Sequence, residues 1–461
     1  MDTTQTLGRS RGRRVDLIHG PIFRNLLVFA IPIFISNLFQ QLYNAADTMI
    51  VGNILGATSL AAVGACGSIY ELLVGFGLGI GNGLAIVTAR AYGAEDYNKV
   101  KKTVAGSLVI GLVSSALITL VGLLFLHPLL VALDTPAEII EEAYSYIRPI
   151  AQYVVVMFMY NLCAALLRAV GNSVMPLVFL IFSSCLNVAL DYWFVAGLGM
   201  GVRGAALATV LAQAVSVVLC FVYIYKWAKH LVPGREHFSI EKGLYRELVT
   251  QGLSMGLMSS IVSAGSVILQ YGINGLGTLV IAGHTAARKL FTITDMPVIA
   301  MANAGSTFVS QNRGADKADR IRKGMRQIWL FGLGTAVVMT VLMWLWAGNL
   351  VGLISGSSES VVLENGARYL RWTAPFYSVL GVLLATRYAL QSLGQKILPL
   401  ISSGIELVGK ILFMLYFIPR FGYNAVILCE PVIWCFMCAQ LLWSYWHDPY
   451  IKGSQARENR N

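Results

Sequence analysis

Ser36-Asn37-Leu38-Phe39-Gln40-Gln41-Leu42-Tyr43-Asn44-Ala45-Ala46-Asp47 lies inside the first long apolar segment of the chain, at 23–51, and Asp47 is the only carboxylate in that segment. Read as a helix, Ser36, Gln40, Asn44 and Asp47 fall at i, i+4, i+8 and i+11, so they form one polar stripe on one face. A carboxylate in a bilayer-spanning helix costs about +2.5 to +3.5 kcal/mol on insertion scales, so such groups face a bundle interior or a wet cavity. A solvated carboxylate near the membrane surface is the alternative. The rest of the chain decides between the two.

Hydrophobic residues make up 56% of the 461 and charged residues 12%, with a mean hydropathy of +0.67. Soluble chains carry roughly twice that charged fraction. Apolar runs long enough to cross a bilayer recur from end to end, which predicts an all-α polytopic membrane protein with no soluble domain. The net charge of +11 does not point to nucleic acid, because the basic residues cluster between spans. The clusters are Arg9, Arg11, Arg13 and Arg14; Lys99, Lys101 and Lys102; Lys226 to Arg246; Arg313 to Arg326; and Lys452, Arg457 and Arg460. They alternate with poorly basic loops such as 127–142, which carries Asp134, Glu138, Glu141 and Glu142. By the positive-inside rule both termini are then cytoplasmic, and the charge reports topology and contact with the lipid bilayer. No cleavage site closes a short apolar region, so a removed signal peptide is not expected.

Twelve spans fit, at 23–49, 57–88, 103–126, 138–162, 164–194, 204–227, 246–271, 279–311, 326–347, 359–386, 389–418 and 423–446. The tails are 1–22 and 447–461, and a polar linker at 228–245 separates six-helix lobes at 23–227 and 246–446. The halves repeat. Ala91-Tyr92-Gly93-Ala94-Glu95-Asp96 followed by Lys99 to Lys102 matches Asn312-Arg313-Gly314-Ala315-Asp316-Lys317 followed by Arg320 to Lys323, and Gly171 to Pro176 matches Gly394 to Pro399. Two matches in the same order, each after an even number of spans, predict parallel copies related by a pseudo-twofold along the membrane normal. Solutes bind between the copies in such architectures.

The fifth span carries a second polar stripe: Ser183, Asn187 and Asp191 at i, i+4 and i+8. Carboxylate, carboxamide and hydroxyl oxygens suit a hard monovalent cation or a shared proton. Under the repeat, Ser183, Asn187 and Asp191 map to Glu406, Lys410 and Met414. Glu406 and Lys410 are an i,i+4 pair in the favourable order, read as a structural ion pair. Glu71 and Asp295 are further candidates for a cavity-lining polar stripe with Gln40 and Asn44, with Asp295 paired to Arg288. Glycines at 75, 77, 79, 81 and 83 lack a preceding strand, so they permit close helix approach rather than dinucleotide binding. Pro32 should kink the first span. The cysteines, including Cys435-Phe436-Met437-Cys438, fall in apolar spans, and the histidines show no ligand spacing, which leaves a membrane-embedded enzyme without a constellation.

These residues resemble the MATE (multidrug and toxic compound extrusion) family from about 20 to 447. The carriers are Asn44 to Gly52 around Asp47, the Gly-Ala-acid signatures at 93–95 and 314–316, Asn187-Val188-Ala189-Leu190-Asp191, and the run Gly201 to Thr209. The resemblance implies a cation-coupled antiporter of organic cations with two six-helix lobes around a central cleft. In the family's DinF-like branch an Asp on the first span, an Asn and Asp four apart, and a Thr further on form a coupling site, and here Asp47, Asn187, Asp191 and Thr209 match them. Pro32 matches a family proline whose bending is linked to protonation of that site. The NorM-like pattern, a Glu on the seventh span and an Asp on the tenth, is not matched.

The expectation is therefore a monomeric antiporter of the cytoplasmic membrane that exports amphipathic, mostly cationic compounds against inward Na⁺ or H⁺. It is not expected to be an enzyme, to hold a cofactor, or to hold a metal beyond a Na⁺ at Asp47 and Asp191. A lipid-linked-precursor flippase of the same superfamily is the alternative.

Overall fold

The computed structural model of the chain describes residues 14–133 and 135–458, with side chains through 453. Arg9, Arg11, Arg13, Asp134, Arg460 and the side chain of Arg457 lie outside the described residues. Every regular element among the described residues is helical.

The first span is α1 (Ile22–Leu55), and the second is α2 (Ala57–Ala65) with α3 (Gly67–Gly93), broken at Cys66. The third is α4 (Tyr97–Ala132). The fourth is α5 (Ile140–Gln152) with α6 (Val154–Ala169), bent by 51°. The fifth, α7 (Val174–Asp191), ends in a π turn at Tyr192–Gly197, and the sixth is α8 (Gly201–Trp227). The second half runs through α9 (Lys242–Asn274), then α10 (Thr278–Thr294) with α11 (Met296–Gly314), then α12 (Ala318–Ser355). It continues with α13 (Ser360–Thr373) and α14 (Tyr377–Leu393), then α15 (Ile397–Leu412) with a π turn at Phe413–Phe417 and α16 (Ile418–Phe421). It closes with α17 (Tyr423–Trp446), and α18 (Pro449–Glu458) follows the last span. Among the described residues nine helices are each long and apolar enough to cross a bilayer, and α5 with α6 makes a tenth as a bent pair. The pairs α10–α11 and α13–α14, which carry more ionisable residues, complete twelve spans in two halves of six.

Two span boundaries differ from expectation. The breaks expected at 163 and at 387–388 fall instead at 170–173 and 394–396. Continuous apolar sequence conceals them, but Gly171 (φ 85°) and Gly394 (φ 100°) supply the left-handed residue that ends each helix. The two turns are built alike: Asn172 N–H donates to Leu167 O at 3.0 Å, and Gln395 N–H to Leu390 O at 2.9 Å. The Gly-Ala-acid signature is likewise a turn, in which Glu95 (φ 57°) and Asp316 (φ 54°) are the only non-glycine residues with positive φ among those described. Both π turns begin within two residues of corresponding places, after Asp191 and after Leu412. The repeat is thus present in backbone conformation.

Compaction groups the chain into two units, Met1–Asp16 with Ile35–Ser259, and Leu17–Phe34 with Ser260–Asn461. The linker at 228–245 belongs to the first unit, as does the start of α9. Both α1 and α9 begin in one unit and finish in the other. Helix α1 is assigned without a break through Pro32, which precedes the handover at Phe34–Ile35 by two residues.

In the first unit α3 and α9 touch backbone to backbone. A Cβ on Gly83 would meet Gln251 O at 2.6 Å and Gly252 Cα at 2.7 Å, and one on Gly79 would meet Met255 O at 2.6 Å and Gly256 Cα at 2.7 Å. Glycines four apart on facing helices let the backbones close, which matters in lipid because packing rather than water exclusion drives association. Around this seam Leu84, Leu162 and Leu248 are fully buried. By contrast, α4 and α12 keep exposed apolar faces, including Leu124, Phe125, Val337 and Leu345, suited to acyl chains.

Candidate functional site

Helix α1 presents Tyr43 and Asp47 one turn apart on one face, α7 presents Asn187 and Asp191 one turn apart, and α8 presents Thr209. All belong to the first unit. Asp47, Asn187, Asp191 and Thr209 are all buried, with Asp191 at 0% exposure. Asp47 and Asp191 approach within hydrogen-bonding reach of each other. Two ionised carboxyls so close repel, and a shared proton or a cation between them removes that repulsion. Asn187 completes the link when its carboxamide is turned to suit its neighbours. Its Nδ2 then donates to Asp191 Oδ2 at 2.8 Å, while its Oδ1 accepts from the Thr209 N–H at 3.0 Å and lies 3.2 Å from the Thr209 hydroxyl.

The chain of contacts closes on itself. The Tyr43 phenol donates to Thr209 Oγ1 at 3.2 Å, so contacts run Tyr43, Thr209, Asn187, Asp191, Asp47 and return to α1. Tyr70 and Tyr146 flank Asp47. Asp47 Oδ1 and Asp191 Oδ1 are each buried with no hydrogen-bond partner. Unsatisfied buried carboxyl oxygens are costly, and a cation or proton placed between them would satisfy both. The donor set is all oxygen, which fits Na⁺ or H⁺ and not a soft metal. The π turn immediately after Asp191 belongs to a class of helix defect that gathers at functional sites.

The four expected coupling residues are therefore brought together, while the wider polar stripe is not. Gln40 Nε2 donates to Asn44 Oδ1 at 3.4 Å, Asn44 and Glu71 are exposed, and none joins the cluster. Asp295 is buried in the second unit at the junction of α10 and α11, with its Oδ1 unpartnered. Its expected partner is otherwise engaged: Arg288 pairs with Glu430 at 2.7 Å and with the Tyr369 hydroxyl at 3.1 Å. Seven residues put Asp295 on the same face as Arg288, but it is the carboxylate of α17 that takes the direct ion pair with the guanidinium.

The Glu406–Lys410 pair is present at 2.9 Å but is not self-contained. Arg387 reaches Glu406 at 3.6 Å and Lys410 reaches Glu430 at 3.9 Å, so the pair is part of a network of five charges on four spans. The sequence reading missed Tyr43, Arg387 and Glu430. Tyr43 lies four residues before Asp47 and so on its face, and Glu430 is the only carboxylate of its span, beside Pro431. Those were the available signals. Among the described residues no group of three His, Cys, Asp or Glu is placed to hold a metal.

The MatE family model matches residues 32–193 and 255–415. The chain is 27% identical over 373 residues to the probable multidrug resistance protein YpnP of Bacillus subtilis, covering 80% of this chain and 82% of that one. It is 22% identical over 426 residues to the multidrug export protein MepA of Staphylococcus aureus, covering 92% of each. Its fold matches a crystal structure of MATE in complex with MaL6, with TM-score 0.88, 22% identity and coverage of 96% of this chain and 99% of that one. It also matches an outward-facing multidrug resistance MATE family transporter of the MOP superfamily, with TM-score 0.86, 23% identity and coverage of 94% and 97%.

Proposed function

Because this chain belongs to the MatE family of multidrug and toxic compound extrusion transporters, we propose that it is a secondary antiporter whose coupling ion, Na⁺ or H⁺, is held at Asp47 and Asp191. It is a multi-pass membrane protein of a transporter family, and relatives named for multidrug resistance and multidrug export support the outward movement of small drug-like molecules. The observation that carries the coupling assignment is the meeting of two buried carboxyls, each with an orphaned oxygen, in one unit. In this reading Asn187 and Thr209 orient Asp191, and the site is of the DinF-like kind. The exported solutes are amphipathic and mostly cationic. The transporter is a monomer in the cytoplasmic membrane with both termini inside.

Ion loading supplies the work. An empty, doubly ionised pair repels, and a bound proton or Na⁺ removes that repulsion. Shifting a two-state balance from 1:99 to 99:1 needs about 5.5 kcal/mol of differential affinity, within reach of relieving a buried like-charge contact. Pro32 is the position where α1 bends most easily, since its ring already removes one backbone hydrogen bond. Its place just before the handover at Phe34–Ile35 makes it the hinge of this reading. No finding favours the flippase alternative. The deciding experiment is dye efflux from proteoliposomes of the purified protein under an imposed Na⁺ gradient, then under an H⁺ gradient. Efflux driven by one of them is expected, and equal efflux with neither would overturn antiport.

A further inference from the structure

The second unit holds an open pocket of about 610 Å³ where α12 begins, lined among others by Asp316, Lys317, Asp319, Arg320, Lys323 and Tyr450. The basic run from Arg313 to Arg326 marks this end of α12 as the one that leaves the bilayer on the side of the positive loops. Charges at the pocket do not balance. Among the described residues Arg313, Lys317, Arg320, Arg322 and Lys323 stand against Asp316, Asp319 and Asp448, five cations to three acids. Two of the acids are engaged elsewhere. Asp319 pairs with Arg322 at 2.6 Å, and Asp448 accepts from the Tyr450 N–H at 3.0 Å and from Gln395 Nε2 at 2.7 Å. Lys323 is exposed and belongs to no ion pair among the described residues. Neutral acceptors hold the other two lining cations: Lys317 Nζ donates to Ile18 O at 3.2 Å, and Arg320 donates to Gly20 O at 2.9 Å and His19 O at 3.0 Å. A carbonyl fixes where a cation points without cancelling its charge.

The repeat supplies an internal comparison. In the first half the corresponding turn puts Asp96 at the N-cap of α4, where its carboxylate accepts from the Lys99 N–H at 2.9 Å. Lys317 holds that place in the second half, and its side chain caps nothing. The first turn of α12 therefore lacks the anion that α4 carries in its own sequence, and the pocket opens at that turn.

We propose that this pocket binds the phosphate of an anionic membrane phospholipid, with Lys317, Arg320 and Lys323 as its counter-charges. Ile22 and Pro449 give the pocket an apolar side, which suits the base of a lipid better than free phosphate. Beyond Lys323, the exposed Leu330, Val337 and Trp344 follow at seven-residue steps along α12. Seven residues are nearly two full turns, so these side chains form one stripe. Acyl chains lie along it while the phosphate reaches Lys323. Basic residues clustered where a span leaves the bilayer attract anionic lipid for the same reason. Nothing in this assignment depends on the coupling ion.

The test titrates the full-length protein in detergent, by calorimetry, with dioctanoyl phosphatidylglycerol, dioctanoyl phosphatidylcholine and inorganic phosphate. Phosphatidylglycerol is expected to saturate and to bind at least about tenfold more tightly than phosphatidylcholine, whose choline offsets the phosphate charge. Lys317→Asp installs the residue that the first half uses at this turn. It should erase the preference between the two lipids while its carboxylate caps α12 and the unfolding midpoint holds. Lys323→Gln, at an exposed position, should weaken phosphatidylglycerol by at least about threefold, and it decides the matter if Lys317→Asp does not fold. Lys242→Asp makes the same charge change at an exposed residue of the first unit and should leave the preference intact. Equal binding of the two lipids, a preference that survives both pocket variants, or an equal loss in Lys242→Asp overturns the proposal. Inorganic phosphate binding as tightly as phosphatidylglycerol would assign the pocket to a free anion and also overturn it.

Discussion

Tyr43 donates its phenol proton to Thr209 Oγ1 across 3.2 Å, tying the first span to the sixth one helical turn before Asp47. The bond fixes the rotation of α1 that aims Asp47 at Asp191. Removing it with Tyr43→Phe keeps the ring and its packing and forfeits about 1 kcal/mol. Folding should survive while efflux slows, as read by thermal unfolding in detergent alongside dye transport. Unchanged transport would show that α1 is oriented by other contacts.

Asp47→Asn replaces a buried carboxylate by a neutral isostere, which lowers the cost of burial and removes ion affinity. Expression near wild type with no gradient-driven efflux is expected. Full efflux from a well-expressed Asp47→Asn protein would remove Asp47 from the coupling site.

Glu406 faces two cations, Lys410 at 2.9 Å and Arg387 at 3.6 Å. Glu406→Gln leaves both buried with less compensation, a loss of about 3–5 kcal/mol for a broken buried pair. Adding Lys410→Met should restore part of the stability but not all, because Arg387 still lacks its acid. Unfolding midpoints of the single and double variants check this, and complete recovery would exclude Arg387 from the network.

Gly83→Ala places a methyl 2.6 Å from Gln251 O, against backbone that cannot rotate away. Overpacking of this kind costs about 1–3 kcal/mol. Gly64→Ala, with nothing within 4 Å, is the control and should be neutral or slightly stabilising. If both variants unfold alike, the α3–α9 seam is not tight.

His230 lies outside the spans, packed on Tyr92 and Tyr97, and burial beside Arg14 and Lys101 pushes its pKa down to about 3. Unfolded, it titrates near 6.5, so between about 6.5 and 3 the unfolded chain binds a proton that the folded one refuses. Stability is fully present above that window and is lost as pH falls through it. His230→Phe should lose less stability than wild type between pH 7.5 and pH 4.5, measured as the shift in unfolding midpoint. Equal shifts would mean the imidazole is solvated.

Much of this molecule was legible in one dimension because a bilayer imposes one-dimensional rules. Backbone groups in lipid must be satisfied within the helix, so long apolar stretches mark most of the spans, although continuous apolar sequence hid the breaks at 170–173 and 394–396. The repeat was legible too, because its turns require particular residues: Gly171 and Gly394 hold positive φ, and Glu95 and Asp316 share a left-handed turn. Asp47, Asn187 and Asp191 were visible as isolated polar groups at helical spacing. Partners across helices were not visible, because spacing specifies a face and never which distant residue meets it. Tertiary structure alone joined Tyr43 to Thr209, gave Arg288 to Glu430 instead of Asp295, and widened an i,i+4 pair into five charges on four spans. It also passed α1 and α9 from one unit to the other. Each of those outcomes is a competition among side chains far apart in sequence, settled by distance and by the cost of leaving a buried charge unpaired.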